Sequence, residues 1–187
     1  MIGASVFSRE ISQIENNEIV AMLEIVFNNA PPQFWTKPAS STSKHHPDSS
    51  NVNGGLVIHT KQVFYIAKAI LDAKMDLLLA DRDVVLASCL LHDIYKYDFS
   101  ASQYTVKNHG IGGVEFIHNL KPLREFLAST YKSPPSWYLE ILKCVKSHNG
   151  RFTKEYTGFF DEAQTIVHLA DWIACQRWCY FDLTKLK

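Results

Sequence analysis

Apolar residues recur at helical spacing along most of this chain. Ile19, Met22, Leu23, Val26 and Phe27 follow a polar start with an i, i+3, i+4 rhythm, which predicts an amphipathic helix over residues 17–28. Pro31 and Pro32 stop it. The stretch that follows, PPQFWTKPASSTSKHHPDSSNVNGG, is rich in Pro, Ser and Asn and predicts a long loop across residues 30–55. Val63, Ile66, Ala67 and Ile70 mark the next buried stripe, and His59 lies on it four residues before Val63, so an imidazole points inward near that helix's first turn. Residues 83–92, DVVLASCLLH, are apolar nearly all round, as a central helix of an all-helical core would be. His92 and Asp93 close it.

Further on, GGVEFIHNL predicts a helix with His109 just before its first turn. Ser133 followed by Pro134 resembles a capped helix start, from which Trp137, Ile141, Cys144 and Val145 share a face running to His148, with Gly150 as the stop. A last helix starts at Asp161, with Val167, Asp171, Ala174 and Trp178 on one face. Strand alternation and internal repeats are absent from the pattern. The expected fold is all-α: one helical-bundle domain over residues 1–187, comprising an N-terminal extension 1–29, a loop 30–55 and a core 56–180.

Composition narrows the partners. The 187 residues are 47% hydrophobic and 20% charged, an ordinary globular balance. Nineteen basic residues against nineteen acidic ones leave no broad positive field, which argues against a footprint on long nucleic acids. The mildly basic stretches Lys121 to Lys132 and Lys143 to Lys154 are interleaved with Glu and suit solvated helix faces. The N-terminus MIGASVFSREISQIE has neither a basic leader nor a sustained apolar run, and no apolar stretch is long enough to span a bilayer, so a cytoplasmic location without membrane association is expected. Cys89, Cys144, Cys175 and Cys179 show no CxxC spacing and are expected as reduced core thiols.

Candidate chemistry gathers on the buried stripes. Four helices each deliver a metal-capable side chain: His59, the pair His92 and Asp93, His148, and Asp171, with His109 arriving from a helix start. Any one of these histidines could be a satisfied core residue. A carboxylate on an apolar face is more telling, because its charge must be paired or coordinated. Asp93 and Asp171 therefore carry most of the signal.

The order His, His-Asp, His, His, Asp resembles the HD-domain superfamily of metal-dependent phosphohydrolases, an all-helical family, across roughly residues 38–178. KHHPDSSNVNGGLVIHT is similar to the HH, GGLL, HT lead-in of its exoribonuclease and relaxase-associated branches, and HDIYK to the HDxxK string of its dinuclear members. KSHNG and HLADWIACQR fit its closing motifs. The resemblance implies that His59, His92, Asp93 and Asp171 hold one metal and that Asp93, His109 and His148 hold a second, Asp93 bridging and serving catalysis. Two divalent transition ions (Mn, Fe, Ni, Co or Zn) suit this nitrogen-rich set, with no organic cofactor. Such a centre retains a charge of about +2 before hydroxide binds and attracts phosphate locally.

Lys96 is placed either to neutralise a phosphate oxygen, a catalytic role, or as an exposed helix-end cation. His45 and His46 match the lead-in and either close over substrate or are plain surface histidines; His118 rivals His109 for one ligand slot; His168 either orients Asp171 or packs in the core. Trp35, Phe34 and Tyr104 either stack on a base or pack. Tyr95, where dinuclear members often carry glycine, is expected to reshape the entrance beside Lys96, and Asn149 replaces the second histidine of an HH pair. The expected activity is hydrolysis of a phosphoester, chiefly a phosphodiester, in a nucleotide or short oligonucleotide by a metal-activated hydroxide. A di-iron oxygenase on the same ligands and a catalytically silent nucleotide-binding module are the alternatives. On oligomeric state the sequence is silent.

Overall fold

The computed structural model describes residues 2–42, 46–73, 80–100, 102–153 and 158–179. His45 and Lys154 lie outside them. Among the described residues the chain forms nine α-helices and three short 3-10 turns, and no strand. The helices are α1 (Ser8–Ile11), α2 (Asn17–Asn28), α3 (Pro32–Thr36), α4 (Gly55–Ala73), α5 (Arg82–Leu91), α6 (His109–Asn119), α7 (Lys121–Thr130), α8 (Ser136–Ser147) and α9 (Glu162–Ala174). None of the described helices is long and apolar enough to cross a membrane.

α5 is the axis of the bundle. Residues Asp83 to Leu91 are all buried, which is why its sequence lacks a polar face. α4, α8 and α9 pack around it, α4 also lies along α9, and α6 lies along α8. Polar caps set the helix starts: Asn16 accepts from Glu18 and Ile19 amides, Asp81 from Asp83 and Val84, and Asp161 closes a capping box with Gln164. Asp83 is itself buried, and its carboxylate accepts the Glu15 and Asn16 amides at 2.9 and 2.7 Å, tying the start of α2 to α5.

Four sequence expectations change. The segment 30–55 is not a structureless loop in its described part: α3 buries Phe34 and Trp35 against Phe7 and Phe27, and backbone hydrogen bonds Ala39 to Ser50, Gly54 to Thr36 and Leu56 to Lys37 cross-tie it. Phe34 and Trp35 are therefore core, and Tyr104 is 64% exposed with no ring partner described. α8 starts at Ser136 and not at a Ser133 cap; Pro135 sits extended at the N-cap, and a proline keeps the residue before it out of the helical region. His109 is the first residue of α6, and the left-handed Asn108 turns the chain into it. α9 ends at Ala174, leaving Trp178 off the helix and 71% exposed.

Candidate metal centre

Local helix geometry aims the imidazoles. His92 and His148 are the C-cap residues of α5 and α8, and the Nδ1 of each lies 2.7 Å from the carbonyl oxygen three residues back, Cys89 and Val145 respectively. A carbonyl only accepts, so Nδ1 carries the proton and Nε2 the lone pair. His109 makes the same bond to Val106 at 3.3 Å. His168, expected to orient Asp171, instead donates from Nδ1 to the His148 carbonyl at 2.6 Å. Gly150 permits this, since its φ of +55° suits glycine and a Cβ there would sit 2.8 Å from His168 Cε1.

These side chains form two groups, His59 with His92 and Asp171, and Asp93 with His109 and His148; within each, one ligand atom per residue falls within 4.8 Å of the others. Asp93 lies between them. Its Oδ2 is 3.4 Å from His92 Nε2 and 3.6 Å from His59 Nε2, while its Oδ1 is 3.0 Å from His109 Nε2 and 3.5 Å from His148 Nε2. In the first group His59 Nε2 is 3.0 Å from Asp171 Oδ1 and 3.3 Å from His92 Nε2.

This donor set fits a cation. His109 Nε2 and His148 Nε2 face each other at 3.1 Å while both rings hold their proton on Nδ1. Asp93 Oδ1 is buried against them with no hydrogen-bond partner. Of these three lone pairs only that of His109 meets a donor, the Asn149 amide, so those of His148 and Asp93 repel unless a proton or a metal ion sits among them. Two nitrogens on one ion at about 2.0–2.1 Å would be about 3.0–3.4 Å apart, the spacing both imidazole pairs show.

Electrostatics agree. Burial holds His59 and His109 below the ordinary histidine value, keeping both neutral. Burial acts the same way on His92, but the Asp93 charge outweighs it and leaves that imidazole above its ordinary value. Asp93 stays ionised well below the usual carboxylate range because, against burial, Lys96 and His92 stand beside it. Asp171 is also depressed, burial being outweighed by the hydrogen bond from His59. Lys96 is 9% exposed, not a solvated helix-end cation: its Nζ donates to Asp93 Oδ2 at 2.6 Å, and that pairing, overcoming burial, raises its pKa.

Of the remaining expected residues, Asn149 reaches the centre, its Nδ2 donating to His109 Nε2 at 2.9 Å. His46 is buried, not a surface histidine, and desolvation lowers its pKa to about 2. His118 is not brought here; it faces the Tyr138 hydroxyl at 3.4 Å in a groove between α7 and α8. Tyr95 stacks on Phe116 with ring centroids 5.4 Å apart. Cys175, expected as a core thiol, is only partly buried, and its Sγ lies 3.3 Å from His46 Nε2 and 3.5 Å from Asp171 Oδ1. Its position four residues after Asp171, on the same helical face, was the available signal.

Residues 56–175 match the HD domain family. The chain belongs to the HD-domain family. The matching span runs from the start of α4 to the C-cap of α9 and contains all six residues of the two groups. HD domains bind divalent metals, in keeping with the groups described above. A relative, the dihydroneopterin 2',3'-cyclic phosphate phosphodiesterase of Methanocaldococcus jannaschii, is 31% identical over 134 residues, which are 71% of this chain and 49% of that protein. The chain thus spans about half the length of that relative. No solved structure gives a significant match.

Proposed function

We propose that this HD-domain protein is a dinuclear, metal-dependent phosphodiesterase acting on a nucleotide or short oligonucleotide. The observation that carries the reading is Asp93, whose two oxygens face two separate imidazole pairs and so can bridge two ions. His59, His92, Asp93 and Asp171 would hold one ion, and Asp93, His109 and His148 the other. Bound divalent ions supply a nucleophilic water at neutral pH and stabilise the attacking and leaving oxygens of an in-line displacement.

The chain's own groups do the rest. Nδ1 protons donated to backbone carbonyls keep the Nε2 lone pairs of His92, His109 and His148 turned inward. Lys96 holds a fixed positive charge beside Asp93, available to a non-bridging phosphate oxygen. Asn149 supplies an amide at the edge of the second group. With a net charge of zero, the attraction for substrate is local, which favours small phosphodiesters over long nucleic acids. The name of the Methanocaldococcus relative specifies a cyclic phosphodiester; the bond class is what we carry over, and not the pterin.

The test is hydrolysis by purified, Mn-loaded protein of a panel comprising 2',3'-cyclic nucleotides, cyclic dinucleotides and dinucleotide RNAs. Turnover of at least one, abolished in His92→Ala and Asp93→Asn, is expected. A fully loaded protein that cleaves none of them would overturn the proposal, and an iron-dependent paramagnetic signal in the half-reduced state would redirect it to oxygen chemistry.

A further inference from the structure

A third cluster adjoins the centre and shares only His59 with it. His46, His59 and Cys175 each place a donor atom within 4.8 Å of the others. The His46 and His59 rings meet edge to face with centroids 4.8 Å apart, and His46 Nε2 is 3.3 Å from Cys175 Sγ. A sulfur and a nitrogen bound to one tetrahedral zinc-like ion would be about 3.5 Å apart. Two buried atoms here lack hydrogen-bond partners: His46 Nδ1, in a residue 5% exposed, and His59 Nδ1, in a residue with no exposure. His59 is thus unlike His92, His109 and His148, whose Nδ1 atoms all bond backbone carbonyls. The Asn51 amide anchors the His46 carbonyl at 2.9 Å, and the C-cap of α9 carries Cys175, so the cluster joins the described end of the lead-in segment to the last helix.

We propose that His46, His59 and Cys175 form a separate site for a thiophilic transition ion of the zinc class, and that this site competes with the main centre for His59. Sulfur sets its selectivity. The two groups around Asp93 offer only nitrogen and oxygen, whereas a thiolate favours soft or borderline ions over manganese. As the sulfur–metal bond forms, the thiol proton leaves to solvent. Competition follows from valence: a neutral imidazole has one lone pair, so His59 serves either Asp171's group or Cys175's. Occupation of the thiolate site therefore removes a ligand from the main centre, and zinc would inhibit the manganese-loaded enzyme. That inhibition rests on the function proposed above, whereas the site itself does not.

The deciding experiment is titration of the full-length, metal-free protein with Cd2+, followed by the ultraviolet sulfur-to-metal charge-transfer band. Wild type is expected to develop the band with one saturating equivalent. Cys175→Ser should lose it, and His46→Gln should weaken binding by about tenfold or more, the loss of one ligand. Circular dichroism confirms that each variant is folded, and His46→Gln provides a second reading should Cys175→Ser unfold. A band that survives in folded Cys175→Ser, one unaffected in His46→Gln, or none in wild type overturns the site. None of these readouts requires hydrolysis: an inactive protein with the band refutes only the phosphodiesterase, and an active one without it refutes only this site.

Discussion

Lys96 and Asp93 form a buried ion pair in which the lysine holds the very oxygen that faces His59 and His92. A cation and a metal ion compete for that oxygen's lone pairs, so the lysine must cost some metal affinity. If its only task were to neutralise Asp93 in the metal-free protein, a metal ion would make it redundant. Lys96→Met separates the two roles. Without metal, the variant leaves buried Asp93 with His92 as its remaining positive partner, so a loss of stability is expected, below the about 3–5 kcal/mol of a fully broken buried pair, and visible by urea denaturation. With Mn2+ the order reverses: calorimetric titration should show tighter binding, because no ammonium competes for the bridging carboxylate. Turnover at saturating metal should fall by about 10²-fold or more, the effect of removing a charge aimed at a developing oxyanion. Unchanged turnover in the metal-saturated variant would reduce Lys96 to a counter-ion.

At the scale of helices, the second group depends on how closely α6 approaches α8. Gly110, in the first turn of α6, lies so near the α8 backbone that a Cβ would meet the Lys146 and Val145 carbonyl oxygens at 2.7 and 2.8 Å. The Val145 carbonyl also fixes the His148 ring. Gly110→Ala should therefore push His109 from His148 and disturb the His148 brace at once. The expected cost is about 1–3 kcal/mol of stability. Calorimetry should show weakened metal binding at the Asp93, His109 and His148 group while the His59, His92 and Asp171 group keeps its affinity; equal loss at both would refute the argument. The sequence already showed much of this framework. Stripes of apolar residues located α2, α4, α5, α8 and α9 to within a few residues, and carboxylates on apolar faces pointed to Asp93 and Asp171. Other features needed tertiary contacts. His168 is placed beside Asp171 by its spacing along one helix, but rings turn by rotamer, and this one reaches back to the His148 carbonyl. Cys175 was missed because nothing local shows that residue 46, far away in the chain, folds against it.

Across the whole molecule, the six residues come from α4, α6 and α9 and from the ends of α5 and α8, so any ion they hold cross-links most of the bundle. Binding that requires the folded arrangement stabilises it; at 100 times the dissociation constant the gain is about 2.7 kcal/mol, or about 5–10 °C in Tm for a chain of this size. The gain must depend on pH, and its sign follows from His92. Because Asp93 raises the His92 pKa, a proton on that ring stabilises the metal-free fold. This contribution is fully present below the unfolded value near 6.5 and is lost as pH rises through the higher folded value. A metal ion requires the neutral ring, so proton and metal compete. His59 and His109, already neutral through burial, add little competition. Below the folded pKa of His92, apparent metal affinity should weaken by about tenfold per pH unit. Paired thermal scans with Mn2+ and with a chelator, at pH values from about 6 to about 8, should show the metal-induced rise in Tm growing with pH. The His92→Gln variant, which cannot take up that proton, should show a smaller rise and a flatter dependence. A wild-type increment independent of pH would mean that His92 is not among the ligands.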